Sequence, residues 1–99
     1  MLNIQKTIQD GKAVLALSGR LDTTTAPELE QEVKATLDGA DALTLDLEGL
    51  EYISSAGLRV VLTAQKAMAK RNGMKVIHVN ETVMDVFEVT GFSDILTIE

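Results

Sequence analysis

The chain has 99 residues, 45% of them hydrophobic and 3% aromatic, which predicts one domain, residues 1–99, with a largely aliphatic core. Its net charge of −6 argues against direct nucleic-acid binding, and the absence of cysteine excludes disulfides and thiolate chemistry. The longest apolar run, residues 13–17, is too short to cross a membrane, and no export signal is visible, so we expect a cytoplasmic protein without membrane insertion.

The first part of the chain predicts a hairpin followed by a helix. Alternating apolar residues indicate a first strand, and Asp10-Gly11 is typical of a tight hairpin turn. Residues 12–18 include an apolar run without alternation, which predicts a strand covered on both faces. After an expected loop at residues 19–24, Thr25 and Glu28 form a capping-box pattern that places a helix start at Thr25.

The remaining elements alternate between strand and helix. We predict a strand at residues 42–47, a loop at 48–53, a central helix at about 56–71, a strand at 74–79, a short helix after Asn80 and a final strand at 94–98. The inward face of the central helix is predicted to contain apolar residues and one amide: Leu58, Val61, Leu62, Gln65 and Met68. The order ββαβαβαβ predicts a small α/β domain with an opening hairpin, a mixed, mostly parallel sheet and about three main helices.

Charge is distributed unevenly along the chain. Residues 1–53 contain ten acids and four bases, residues 54–80 five bases and no acid, and residues 81–99 five acids and no base. Within the basic segment, four polar side chains form one stripe of the central helix: Arg59, Thr63, Lys66 and Lys70. This stripe is either a docking face for an acidic protein surface or simply a solvated basic face.

Common catalytic arrangements are missing from the sequence. His78 is the only histidine and lies in an apolar segment without acids at ligand spacing, so we expect no metal site. No nucleophile elbow surrounds Ser54 or Ser55, and no glycine-rich phosphate loop is present. We therefore expect neither a cofactor nor an enzyme.

Ser54 and Ser55 stand at the start of the central helix. The first backbone amides of a helix have no intrahelical acceptor, and the helix dipole is positive there. A serine at this place often does no more than cap the helix. A phosphate added there would leave the fold nearly unchanged, yet it would disturb a docked interface through its charge and the cost of its desolvation. This position therefore favours a switch of binding over a switch of folding.

Three segments together resemble a STAS domain of the anti-sigma factor antagonist family, the bacterial anti-anti-sigma factors: Gly19-Arg20-Leu21-Asp22 with Thr25-Ala26, residues 45–47 through 53–58, and residues 87–92. The resemblance implies a cytoplasmic regulator of transcription. In this family a serine is phosphorylated by a partner that is both anti-sigma factor and serine kinase, and a PP2C-type phosphatase removes the phosphate. The unphosphorylated form binds the kinase, and the sigma factor is released.

Matched to the family motif, Ser55 is the expected phosphoacceptor, with Ser54 as the alternative. Ser54 replaces a frequent aspartate, and Ala56 replaces a serine or threonine. The expected partner-binding residues are Asp22, Thr23, Ser54, Gly57, Arg59 and Thr63. We expect Gly57 to let a partner or a nucleotide phosphate approach the backbone. Alternatives are a STAS scaffold that is never phosphorylated, such as a regulatory subunit of a membrane lipid transporter or other signalling complex, and a small enzyme of unrecognised type.

Overall fold

A computed structural model describes residues 1–99. Its strands and helices are, in chain order, β1 (Leu2–Gln9), β2 (Lys12–Leu21), α1 (Ala26–Leu37), β3 (Ala42–Ile53), α2 (Ser55–Ala69), β4 (Met74–Ile77), α3 (Glu81–Thr90) and β5 (Thr97–Ile98). The five strands form one sheet in sequential order, with β1 antiparallel to β2 and the other neighbours parallel. The predicted fold class is confirmed.

The hairpin between β1 and β2 forms at the predicted turn. Gln9 pairs with Lys12, and the two residues between them have positive φ, 54° at Asp10 and 78° at Gly11. Two left-handed residues in a two-residue loop match the right-handed twist of the flanking strands. This turn therefore sets the register of the long β1–β2 pair, which runs to Leu2 and Gly19.

Two strands are longer than predicted. β2 continues to Leu21 and β3 to Ile53, so half of the loop expected at residues 19–24 and all of the loop expected at 48–53 are strand instead. The register shifts between Ala16 and Ser18 and again between Gly19 and Arg20. At such irregularities the strands stay paired, but the alternation of inward and outward side chains is interrupted. The alternating sequence pattern therefore does not indicate where these two strands end.

The prediction that β2 is covered on both faces was wrong. Ala13, Leu15 and Leu17 are buried, whereas Val14 and Ala16 between them are only partly buried. Because β2 to β5 are added in one direction, right-handed crossovers place all three helices on the same face of the sheet. The other face is open, and its side chains are largely polar.

The helices pack on the covered face with small differences from expectation. In α2 the buried residues include Val60 and Ala64, while Leu62 and Gln65 are partly buried, so the inward face is turned slightly from the predicted one. The guanidinium of Arg71, just after α2, donates to the carbonyl of Leu37 and, at 2.9 Å, to that of Ala40. It thereby joins the carboxyl-terminal ends of α1 and α2.

The last part of the chain contains less β-strand than predicted. β4 ends at Ile77; of the segment predicted as the final strand, Asp94 belongs to a 3-10 turn at Phe92–Asp94, and only Thr97–Ile98 is strand. Asn80 caps α3 as expected, because its side-chain oxygen accepts from the Val83 amide at 2.8 Å. Gly91 ends α3 with φ at 82°, in the left-handed region that glycine adopts without a steric cost.

Candidate functional site

The ends of β2 and β3 bring two separate chain segments together. Leu21 pairs with Ile53, and the amide of Ser54 donates to the carbonyl of Leu21 at 2.9 Å. Both strands are parallel, so the helices that follow them begin at the same edge of the sheet. The turn from Asp22 to Thr25 therefore lies beside the start of α2.

Ser54 and Ser55 have different environments at that helix start. Ser54 is the N-cap residue and is partly buried; its Oγ accepts from the Gly57 amide at 3.4 Å, and its carbonyl accepts from the Leu58 amide at 2.9 Å. Ser55 is the first helical residue and is exposed. The cap is thus provided by one serine while its neighbour faces solvent.

The first turn of α2 differs in charge from those of the other helices. Glu28 lies in the first turn of α1 and Glu81 in that of α3, but α2 has no acid in its first turn. The positive end of the α2 dipole is therefore not offset by a carboxylate of its own first turn. Arg59, one turn after Ser55, is exposed and adds positive charge on the same side of the helix.

The neighbouring turn is organised by Asp22 and Thr25. The Asp22 Oδ1 accepts from the amides of Thr24 at 3.0 Å and Thr25 at 3.1 Å. The amide of Thr25 is the main cause that holds the pKa of the Asp22 carboxyl below its ordinary 3.8, with smaller contributions from the Thr24 amide, the Thr25 hydroxyl and the Arg20 charge. Asp22 is therefore a charged residue with a structural task of its own.

The predicted capping box at α1 is not formed. Thr25 is the N-cap residue, but its hydroxyl donates to the carbonyl of Arg20 at 2.8 Å and accepts from the amide of Asp22 at 2.9 Å. The side chain points back to the end of β2, which extends as far as Leu21. Thr25 is consequently buried, and it fastens the turn to the sheet.

A cleft of about 170 Å³ separates the beginnings of α1 and α2. Its lining includes Thr23 from the turn and Ala56 and Arg59 from α2. Thr63 is exposed one turn farther along and donates its hydroxyl to the carbonyl of Arg59 at 2.9 Å. The structure thus brings Thr23 and Arg59 together beside Ser55, and Thr63 continues the same helix face.

Gly57 does not have the expected accessible position. It is buried, and a Cβ atom built on it would lie 2.6 Å from the Leu21 Cγ and 3.0 Å from the Ile53 Cγ1. The absence of a side chain lets α2 approach the ends of β2 and β3 closely. The expectation that this glycine serves the approach of a partner is therefore corrected: its small size is required by packing inside the protein.

The basic stripe has the predicted orientation, since Arg59, Thr63, Lys66 and Lys70 are all exposed. Its contact with a partner remains a prediction. A neighbouring feature was missed by sequence reasoning: the Arg20 guanidinium lies 4.4 Å from the ring centroid of Tyr52. The sequence pattern predicts loops at both residues, whereas they are register partners at the ends of β2 and β3.

Sequence reasoning also missed a cluster on the open face of the sheet. Asp46, Glu48 and His78 place one potential metal-ligand atom each within 4.8 Å of one another. The hydrogen bond and charge of Asp46 raise the pKa of His78 above its ordinary 6.5. The acids precede the histidine by about thirty positions, and only the pairing of β3 with β4, Asp46 opposite Ile77, brings them together.

None of the three helices combines the length and the apolar character that crossing a bilayer requires.

Comparison with known proteins places the chain among regulatory domains. The family model described as "Mlab, STAS domain" matches residues 4–97. BtrV of Bordetella bronchiseptica, whose name describes it provisionally as an anti-sigma factor antagonist, is 40% identical over 90% of this chain and 78% of its own. The anti-sigma-B factor antagonist of Staphylococcus aureus is 30% identical over 98% of this chain and 92% of its own.

Solved structures show the same fold. The crystal structure of an anti-sigma factor antagonist from Mycobacterium paratuberculosis has a TM-score of 0.90 and 27% identity, covering 99% of this chain and 85% of that one. The Bacillus cell fate determinant SpoIIAA in its phosphorylated form has a TM-score of 0.77 and 17% identity, covering 98% and 91%. The second likeness concerns the fold alone.

Proposed function

The chain belongs to the family of anti-sigma factor antagonist STAS domains, and from this premise we propose that it is a phosphorylation-switched binding protein. In the unphosphorylated form it binds an anti-sigma factor that is also a serine kinase, and the sigma factor is released. Phosphorylation of Ser55 ends the complex, and a PP2C-type phosphatase restores it. We propose one domain, residues 1–99, acting by binding rather than by catalysis.

The observation that carries this proposal is the exposure of Ser55 at the first position of α2, next to a separate cap residue. A phosphate on Ser55 would leave the Ser54 cap in place. It would also meet the positive end of the helix dipole, a favourable contact of about 0.3–1 kcal/mol. The fold would therefore tolerate the modification.

The same phosphate would oppose binding. We propose that the partner covers the surface formed by Asp22, Thr23, Ser54, Arg59 and Thr63 around Ser55. A dianion within such an interface would need new cationic partners or would lose hydration without compensation. Each tenfold loss of affinity requires only about 1.4 kcal/mol, so a modest penalty suffices to separate the complex. Gly57 supports this surface from inside the protein.

The first experiment tests the phosphoacceptor. The purified chain is incubated with ATP, Mg²⁺ and the anti-sigma factor kinase encoded nearest to its gene, and the intact mass is measured. We expect one added phosphoryl group, mapped to Ser55 by peptide fragmentation and absent in the Ser55→Ala variant. Ser54→Ala is the matched control, because it changes the adjacent hydroxyl and should still be modified. A gain in mass that persists in Ser55→Ala would show that another residue accepts the phosphoryl group.

The second experiment tests the switch. Calorimetric titration with the same kinase should give a loss of affinity of about a hundredfold for the phosphorylated chain or for Ser55→Glu, equivalent to about 2.8 kcal/mol. Ser55→Ala should bind nearly as the unmodified chain does. Equal affinity of Ser55→Glu, Ser55→Ala and the unmodified chain would contradict the switch. Absence of any phosphoryl gain with every candidate kinase would favour the scaffold that is never phosphorylated.

A further inference from the structure

The open face of the sheet contains a compact group of three different ligand types. The His78 Nδ1 lies 2.9 Å from the Asp46 Oδ1 and 3.9 Å from the Glu48 Oε2. In a tetrahedral zinc site with bonds of about 2.0–2.2 Å, neighbouring ligand atoms are about 3.3 Å apart. The two observed separations lie on either side of this value, so small side-chain rotations would give the spacing of a metal site.

Two of the three groups are held in place by the backbone around them. The Asp46 Oδ1 accepts from the amide of Glu48 at 3.1 Å, which orients the carboxylate along β3. His78 has φ at 57°, and this left-handed turn directly after β4 brings its ring to Asp46. Glu48 is exposed, and its side chain is free to move toward the other two. A cation would therefore bind two side chains that are already oriented, Asp46 and His78, and one that can move, Glu48.

The donor set distinguishes among cations. One imidazole nitrogen and two carboxylate oxygens are common ligands of Zn²⁺ and of related divalent transition metals. Ca²⁺ and Mg²⁺ prefer oxygen ligands alone, and each requires six or more positions. A neighbouring concavity of about 300 Å³, lined by Asn3, Gln5 and Ser18 together with both acids, leaves room for water as a further ligand.

We propose that Asp46, Glu48 and His78 form a binding site for a divalent transition metal of the Zn²⁺ class on the open face of the sheet. The site lies on the face opposite the helices, whereas Ser55 belongs to a helix start. It is therefore independent of the phosphorylation switch, and either can fail without the other. On binding, the cation takes the place of the hydrogen bond between the His78 Nδ1 and the Asp46 Oδ1.

Zinc binding is measured by calorimetric titration of the full chain with ZnCl₂ in a buffer that does not chelate metals. We expect one equivalent to bind, with amide shifts in NMR spectra concentrated at residues 46–48 and 77–79. His78→Asn should weaken binding at least tenfold, since even the loss of an outer partner of a ligand commonly costs about 10–100-fold. Asparagine suits this position because it tolerates positive φ.

Three controls make the result decisive. Glu48→Gln removes a ligand at an exposed position and should weaken binding without a change in thermal midpoint. Glu51→Gln removes an exposed acid of the same strand outside the cluster and should leave binding unchanged. MgCl₂ should give no saturable signal. Absence of zinc binding in the unmodified chain, or equal affinity in His78→Asn, would overturn the proposal.

Discussion

The starts of α1 and α2 lie at the same edge of the sheet, yet their hydroxyl side chains do different work. Thr25 at α1 is 5% exposed, and its hydroxyl is engaged with the backbone of β2 and the following turn. At α2, Ser54 provides the cap and Ser55 is exposed. The comparison teaches that a hydroxyl residue at a helix start can stay exposed where a neighbour performs the structural task.

The two starts also differ in charge. α1 begins with Glu28 in its first turn, which offsets the positive end of its dipole, whereas the first turn of α2 has no acid. Arg59 follows one turn later on the exposed side. The start of α1 is therefore complete without an added anion, and the start of α2 can accept one.

The largest expected effect on stability concerns Thr25. Thr25→Val keeps the shape of the side chain but leaves the Arg20 carbonyl and the Asp22 amide without their partner, which should lower the free energy of unfolding by about 2–3 kcal/mol. Ser55→Ala should change it by less than about 0.5 kcal/mol, as is usual for an exposed side chain. Urea unfolding measures both. Similar losses of stability in Thr25→Val and Ser55→Ala would contradict the view that only the hydroxyl of Thr25 has a structural role.

A smaller effect is expected at Gly57. An added methyl would meet Leu21, which is fully buried, so overpacking of about 1–3 kcal/mol opposes the gain in helix propensity of about 1 kcal/mol. Gly57→Ala should thus lower the free energy of unfolding by up to about 2 kcal/mol.

Gly39→Ala is the matched control for this variant, because nothing lies within 4 Å of a Cβ at Gly39. It should be neutral or slightly stabilising in the same urea titration. If Gly57→Ala were as stable as Gly39→Ala, close packing of α2 on the ends of β2 and β3 would not be the reason for a glycine at position 57.

A still smaller loss is expected for the cap of α2. The Ser54 Oγ accepts from the Gly57 amide at the long distance of 3.4 Å, so Ser54→Ala should lower the free energy of unfolding by only about 0.5 kcal/mol, the lower limit for such caps. Asn80→Ala at α3 loses a 2.8 Å cap bond and also the 2.6 Å bond from the Asn80 side chain to the Leu50 carbonyl, and should cost more. Thermal unfolding of the two variants side by side tests this order.

The least pronounced effects depend on pH. The pKa of Asp22 is lowered in the folded protein. The contribution of Asp22 to the free energy of unfolding is therefore present above the ordinary pKa of 3.8 and is lost as the pH falls through the folded value. His78 has a raised pKa, so its contribution is present below 6.5 and is lost as the pH rises through the folded value. The unfolding midpoint is measured as a function of pH. Asp22→Asn should lack the part of the decrease at acidic pH that Asp22 causes, and His78→Asn should lack the part of the decrease near neutral pH that His78 causes.

Much of the fold could be predicted from local patterns. Apolar periodicity and the Asp10-Gly11 turn are consequences of interactions between near neighbours, and they indicated the order of strands and helices. The ends of β2 and β3 could not be found in this way, because the register shifts after Ala16 depend on pairing between distant segments.

The candidate site was predicted in part for the same reason. The exposure of Ser55, Arg59 and Thr63 follows from helical spacing, which the sequence contains. The role of Gly57 depends on the position of Leu21, and the cluster at His78 depends on acids of another strand. Such relations arise only when the sheet has formed.

The guanidinium that joins the carboxyl-terminal ends of α1 and α2 has one further consequence. The bonds from Arg71 to the carbonyls of Leu37 and Ala40 join one end of the helix pair, and no carboxylate takes part in them. Acidification acts instead at Asp22, beside the opposite ends of the same two helices. When acid removes the Asp22 charge, the turn at the edge that carries Ser55 should therefore loosen first, while the other ends of the two helices stay joined.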